Sequence, residues 1–424
     1  MLVALIVREV LMKKKLFVFM LLLIISSVFS GCENAKLNSV ISDTSSVPAN
    51  EIDVKKFDGF TKDELESKRI SKNQIFTNFS EVLKKKYDNF ILPSNITIEQ
   101  GELYSNIQFT QVSNFEKNAE TIFQTFFGNL YTNELEITPV NTIYHTGKQI
   151  NSENDKIFGA VLDNGLVSII KPEGWDAGFG NDFEIVKIIH VDRGDDLSEI
   201  YNLADGKESI KDTVNYVNNW LDKNWTRWEP DFTFQVKTIE VKEIDDHYFY
   251  DIIVEKYYKG IPLDSVMNTS ELSVDENGNM LLKYTLSFLG IRMCNMNSID
   301  VFTNKVGIIG VKDTQTSEDG WLPLGECLDM LSKFFSEYEV YNVSDIELKY
   351  AMCPDYDSLG STVKGFDFQY PGLNINAFPI WRLVIDIPRD QLVNENGTYI
   401  EGNQQYHIDI NMRTGEVWFE LEQK

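Results

Sequence analysis

The chain has 424 residues, a formal net charge of −26, 43% hydrophobic and 12% aromatic side chains. That content is too apolar for a disordered chain and long enough to fill two or three ordinary cores. So acidic a surface repels nucleic acid and anionic headgroups, which excludes both as partners, while it favours a partner that brings positive charge.

Residues 1–31 read as a signal peptide. Lys13, Lys14 and Lys15 form a basic opening, and Leu16 to Ile25 form an unbroken apolar run. That run is shorter than the roughly 20 residues a permanent membrane helix needs, but it suits a secretory signal. Val28-Phe29-Ser30-Gly31-Cys32 follows, and it resembles the lipobox of bacterial lipoproteins, with Phe29 where leucine is usual. The resemblance implies a diacylglycerol on the Cys32 thiol, cleavage before it, and a place on the outer face of the cell membrane. Because Met12 directly precedes the three lysines, translation can start at Met1 or at Met12. Residues 32–52, rich in Ser, Asn, Asp and Thr, read as a lipid-anchored flexible tether.

Three regions follow, 53–200, 201–318 and 319–424. In the first, short helices are expected at Lys62–Arg69 and Ser80–Tyr87 and a strand near Leu103–Thr110. Phe115, Ala119, Ile122, Phe126 and Leu130 then recur at helical spacing behind Asn114, a candidate cap. Strands are expected at 139–148, 156–162 and 165–170. The second region has a helix carrying Ile210, Val214, Val217 and Leu221, then strands over Phe232–Val241, Tyr248–Tyr258 and Met280–Phe288. The third has a helix from Leu322 to about Tyr338 and strands over 344–352, 380–388 and 405–412, with a turn at Arg413-Thr414-Gly415-Glu416. The expected class is α+β, with tandem units of one amphipathic helix on an antiparallel sheet whose other face is wet.

Residues 379–419, with Asp409, Thr414, Gly415, Glu416 and Val417, are similar to PepSY and propeptide-like domains of exported bacterial proteins. Regulators of the Yyc type stack such units, and the chain also looks like uncharacterised lipoproteins of Clostridia and other Firmicutes. That resemblance implies binding or regulation, with no catalytic residues to carry over.

The chemistry-bearing residues are scattered. His145, His190, His247 and His407 lie apart, so no HExxH-type zinc site is formed, and no GxSxG, P-loop or GxGxxG follows a strand. No cofactor and no metal are implied. His407, Asp409 and Asn411 share one strand face, which reads as solvated. Cys294, Cys327 and Cys353 remain beside Cys32, with no CxxC; buried thiols are expected, and a Cys327–Cys353 bridge is the alternative.

Two aromatic clusters are candidate binding sites. Trp220, Trp225, Arg227 and Trp228 stand in WLDKNWTRW; exposed, the rings could stack on a sugar or peptide, and buried, they would cap the second helix. Trp175 and Phe179 stand in the glycine-rich loop 173–181. The functional expectation is a non-catalytic envelope lipoprotein that binds a protein or peptide, with an extracytoplasmic hydrolase of wall or peptide substrates as the second reading.

Overall fold

The computed structural model describes residues 60–111, 116–127, 135–137, 143–146, 158–162, 167–171, 183–244, 247–265, 272–274, 280–282, 288–304, 307–334, 340–355, 374–386 and 405–419. Residues 1–59, which include the expected signal peptide and tether, lie outside them.

Helix starts follow local chemistry. Thr61 caps Lys62–Lys68 and Ser71 caps Lys72–Lys84, each through a reciprocal capping box, with Glu64 and Gln74 returning the bond. The second of these begins eight residues before the expected Ser80, because the Ser71 cap comes before the apolar positions Ile75 and Phe79 that the helix buries. The other described helices are Glu116–Phe127, Ile210–Asn224 and Leu324–Phe334. Ile210–Asn224 buries Ile210, Val214, Val217 and Leu221, the predicted stripe, plus Thr213.

Most of the remainder is strand. A first sheet is antiparallel throughout. It runs from Leu135–Ile137 through Ile143–Thr146, Phe158–Leu162 and Val167–Ile170 to Val301–Asn304. It continues through Phe288–Met293, His247–Tyr258 and Phe232–Ile244 to Glu184–His190. A second sheet is centred on Tyr341–Asp355 and its antiparallel neighbour Asn374–Asp386. One end of Asn374–Asp386 pairs with Gln405–Asn411, which pairs in turn with Val417–Phe419. Its other end pairs with Asn106–Gln111, which pairs with Ile309–Gln315. The short strand Ile261–Ser265 bridges the two sheets. It turns back antiparallel on Tyr257 and Tyr258 and lies parallel to residues 350–352.

This architecture corrects the α+β expectation. The chain is predominantly β, with five helices among the described residues. Strands do not close into successive helix-on-sheet units: Asn106–Gln111 sits between Ile309–Gln315 and Asn374–Asp386, and Val301–Asn304 pairs with Val167–Ile170. Periodicity along a strand tells which face is apolar and says nothing about which distant strand lies alongside.

Helices Lys72–Lys84 and Leu324–Phe334 cover the apolar face of the second sheet. Phe79 stacks on Trp381 with centroids 6.0 Å apart, and the Trp381 indole donates to the Leu322 carbonyl at 3.0 Å. The predicted turn at 413–416 is present. Asn411 Oδ1 accepts from the N–H groups of Arg413 and Thr414, and Gly415 takes φ +69°, where a Cβ would lie 2.5 Å from the Phe60 ring. Cys294 and Cys327 are buried thiols in no disulfide, which removes the Cys327–Cys353 bridge.

Candidate functional site

The tryptophans of WLDKNWTRW form a packing hub. Trp225 is fully buried, its ring centroid 4.6 Å from Phe302 and 5.0 Å from Trp228. Its indole N–H donates to Glu229 Oε2 at 2.8 Å. The other oxygen of Glu229 accepts from the Lys256 ammonium and from the Ile309 N–H. Trp220 packs on Phe126 at 5.0 Å, which joins Ile210–Asn224 to Glu116–Phe127. Arg227 lies over the Trp228 ring at 4.0 Å and donates to Thr125; Arg227 is exposed, while Trp228 is half-buried against the core. Trp175 and Phe179 lie outside the described residues, as do His145's surroundings and Cys32.

The strand faces expected to be wet are instead filled by buried charge. Arg382, 2% exposed, forks onto both oxygens of Asp409 at 2.7 and 2.8 Å and also reaches Asp264. Lys349, 1% exposed, meets Glu255 at 2.6 Å, Glu347 at 3.0 Å and Asp264 at 3.2 Å. Lys237 adds Glu347 at 2.9 Å and Glu255 at 3.4 Å. Burial alone would neutralise Asp264; the charges of Arg382, Lys349 and Lys237 outweigh it and hold the carboxyl well below the usual carboxylate range. Asp409 belongs to this buried cluster and the half-buried His407 borders it, so the reading of their face as solvated is overturned.

A second cluster lies in the first sheet. Asp251 takes two bonds from Arg292, at 2.6 and 2.7 Å, and one from Lys242 at 2.8 Å. In both clusters the acids and bases are committed to one another, which is how a buried charge is tolerated. A general base or nucleophile needs a lone pair free to meet a substrate. Asp192, Asp345 and Glu347 also converge closely enough to hold a cation. Arg193, 2.9 Å from Asp345, and Lys237, 3.9 Å from Asp192, already supply that charge.

The feature open to a partner is the sheet edge Glu184–His190. One side pairs with Phe232–Ile244, from Glu184 opposite Glu243 to His190 opposite Thr238, with a bulge at Val241/Lys242. Among the described residues no strand pairs with its other side. Phe183, Ile185 and Val186 are 37, 39 and 43% exposed. Edge strands carry unpaired N–H and C=O groups, and proteins usually blunt them with charge, bulges or cover. Here the bulge and Lys187, tied to Glu199, provide part of that protection; Phe183 packs edge-on against Phe249, and Ile185 and Val186 stay partly exposed. The sequence reading places no strand at 184–190. Glu184-Ile-Val-Lys-Ile-Ile-His190 does not alternate, and the signal that could have found it is the β-branched run itself.

Neither a family model nor a curated protein matches this chain. Among solved structures it is similar to an uncharacterized protein from Eubacterium rectale, at 14% identity and a TM-score of 0.49, covering 81% of this chain and 98% of that one. The PepSY resemblance finds no support in these comparisons, and the tandem units expected from the periodicity are absent from the fold. No described helix is long and apolar enough to cross a membrane.

Proposed function

We propose that this chain is a non-catalytic binding protein of the bacterial cell envelope, lipid-anchored at Cys32, that captures an extended protein or peptide segment by strand addition. The observation that carries the reading is the edge Glu184–His190, which pairs on one side only among the described residues, with Ile185 and Val186 exposed on it. Strand addition draws its affinity from main-chain hydrogen bonds and its selectivity from alternate side chains. The net charge of −26 favours a segment carrying lysine or arginine, whose encounter rate falls as salt screens the attraction.

Cross-linking on intact cells should recover a discrete envelope protein or peptide, more weakly at high salt. The double variant Ile185→Lys, Val186→Lys alters only exposed side chains, so it should keep the unfolding midpoint and lose most of that capture. Undiminished capture by a folded double variant rules out this edge. The anchor is tested separately: Cys32→Ala should leave the protein unprocessed or released to the medium. Unchanged membrane partitioning with cleavage still after Gly31 would refute lipidation.

A further inference from the structure

Residues 190–195 form a turn that is held by both sheets. The Val191 N–H donates to the Lys237 carbonyl of the first sheet at 2.8 Å. The Arg193 guanidinium donates to Asp345 of the second at 2.9 Å. Lys237 is the residue at which the pairing of Phe232–Ile244 with His247–Tyr258 slips, and such a bulge re-aims the side chain it carries. Its ammonium points across the junction. It meets Glu347 of the second sheet at 2.9 Å, Glu255 of the first at 3.4 Å and Asp192 of the turn at 3.9 Å.

One ammonium therefore faces three carboxylates brought by three elements. The others have further support: Lys349 meets Glu255 at 2.6 Å and Glu347 at 3.0 Å. Asp192 stands beyond hydrogen-bond reach of Lys237 and has a carboxylate oxygen within 4.8 Å of those of Asp345 and Glu347. Carboxylates so close do not all ionise at ordinary pH once they are partly out of water. Asp192, held least and 22% exposed at its side chain, is the one that solvent protons reach. Burial comes first in raising its pKa to about 6, Glu347 and Glu255 add to it, and Lys237 and Arg193 oppose it. Asp345 is also pushed up, by burial and then by Glu347, while the neighbouring cations hold Glu347 well below the usual range. His190, at the start of the turn, is pushed down by burial and then by Arg193.

We propose that this junction is a proton-operated latch, in which a proton on Asp192 closes the turn at 190–195 onto the second sheet and its loss loosens that contact. With Asp192 neutral, Lys237 serves two carboxylates, and the new carboxyl O–H can donate to Asp345 or Glu347. With Asp192 ionised, three carboxylates compete for one ammonium and repel one another across the junction. The closed turn holds the proton more tightly than an open one, so closure strengthens as the pH falls through about 6 and is lost as it rises through that value. The latch is independent of capture at the strand edge and is tested without a ligand.

The test is hydrogen exchange of the purified full chain, with EDTA present, read at the Val191, Arg193 and Asp195 amides, which bond the Lys237 and His190 carbonyls. After correction for intrinsic exchange, protection in the parent should rise several-fold from pH 7.5 to pH 5. Roughly tenfold is available to a carboxyl whose pKa moves between 3.8 and about 6 on closing. Asp192→Asn, whose amide stands in for the protonated carboxyl, should show the high protection at both pH values. His190→Gln should keep the parent's rise, because a proton on His190 adds positive charge beside Arg193 and Lys237 and acts in the opposite direction. Equal or lower protection of the parent at pH 5 overturns the latch, as does a rise that persists in Asp192→Asn or disappears in His190→Gln. Should Asp192→Asn fail to fold, the parent and His190→Gln decide the matter by themselves.

Discussion

Arg382→Ala is expected to cost about 3–5 kcal/mol of unfolding free energy, the range for removing one partner of a buried ion pair. The guanidinium lies between Asp409, which it holds through two bonds, and Asp264. Burial works against its charge, but the neighbouring carboxylates, Asp409 first, hold its pKa well above the usual guanidinium value. Alanine leaves Asp409 without its fork in a site that is 1% exposed, and takes the guanidinium away from Asp264, which keeps Lys349 at 3.2 Å. Asp409→Asn should be milder, since the amide still accepts one bond. In Arg382→Ala, adding Asp409→Leu should restore part of the loss, because matched apolar replacement of a buried pair is often close to neutral. Urea denaturation of the three variants measures this. A loss below about 1 kcal/mol in Arg382→Ala would mean that the cluster is hydrated and worth no more than a surface pair.

The alternation of Trp381, Leu383 and Ile385 with Arg382, Val384 and Asp386 was enough to place a strand, and the structure has one at Asn374–Asp386. What alternation cannot say is whether the polar face meets water. Here it does not, because charges on neighbouring strands fall into register. Glu347 lies opposite Arg382, and Arg382 lies opposite Asp409. In the first sheet Glu240, Asp251 and Arg292 form a similar row across three strands. The first row alternates in sign and the second sets two carboxylates beside one guanidinium, and neither is visible until the pairing between separate strands is known. The helix at Ile210–Asn224 was legible because its stripe is local. Trp225 was ambiguous because its partner Glu229, four residues on, is one carboxylate among many in an acidic sequence. The open edge went unread because its residues do not alternate.

Acidification should weaken the fold through His407, and replacing that side chain should remove the effect. His407 sits on Gln405–Asn411 opposite Val384. Burial, followed by the positive charges of Arg382 and Lys349, pushes its pKa from 6.5 down to about 3, against the upward pull of Glu347 and Asp264. The folded state therefore binds this proton less well than the unfolded chain does. The stabilisation from a neutral His407 is complete above pH 6.5 and is lost as the pH falls from there toward 3. At about 1.4 kcal/mol per pH unit, the loss reaches roughly 3 kcal/mol by pH 4. Asp192 acts with the opposite sign. Burial raises its pKa to about 6, so its folded form gains stability as the pH falls through that value, which masks part of the trend in the parent protein. The variant isolates the His407 contribution. Urea unfolding of parent and His407→Gln at pH 7, 6, 5 and 4 should give a stability difference that moves steadily in the variant's favour below pH 6.5. Asp192 titrates in both proteins and cancels in that difference to first order, while Asp264 and Glu347, both held well below the usual carboxylate range, stay charged throughout it. Two curves that run parallel from pH 7 to pH 4 would show that His407 takes up its proton in the folded state as easily as in the unfolded chain, and that its site is open to water.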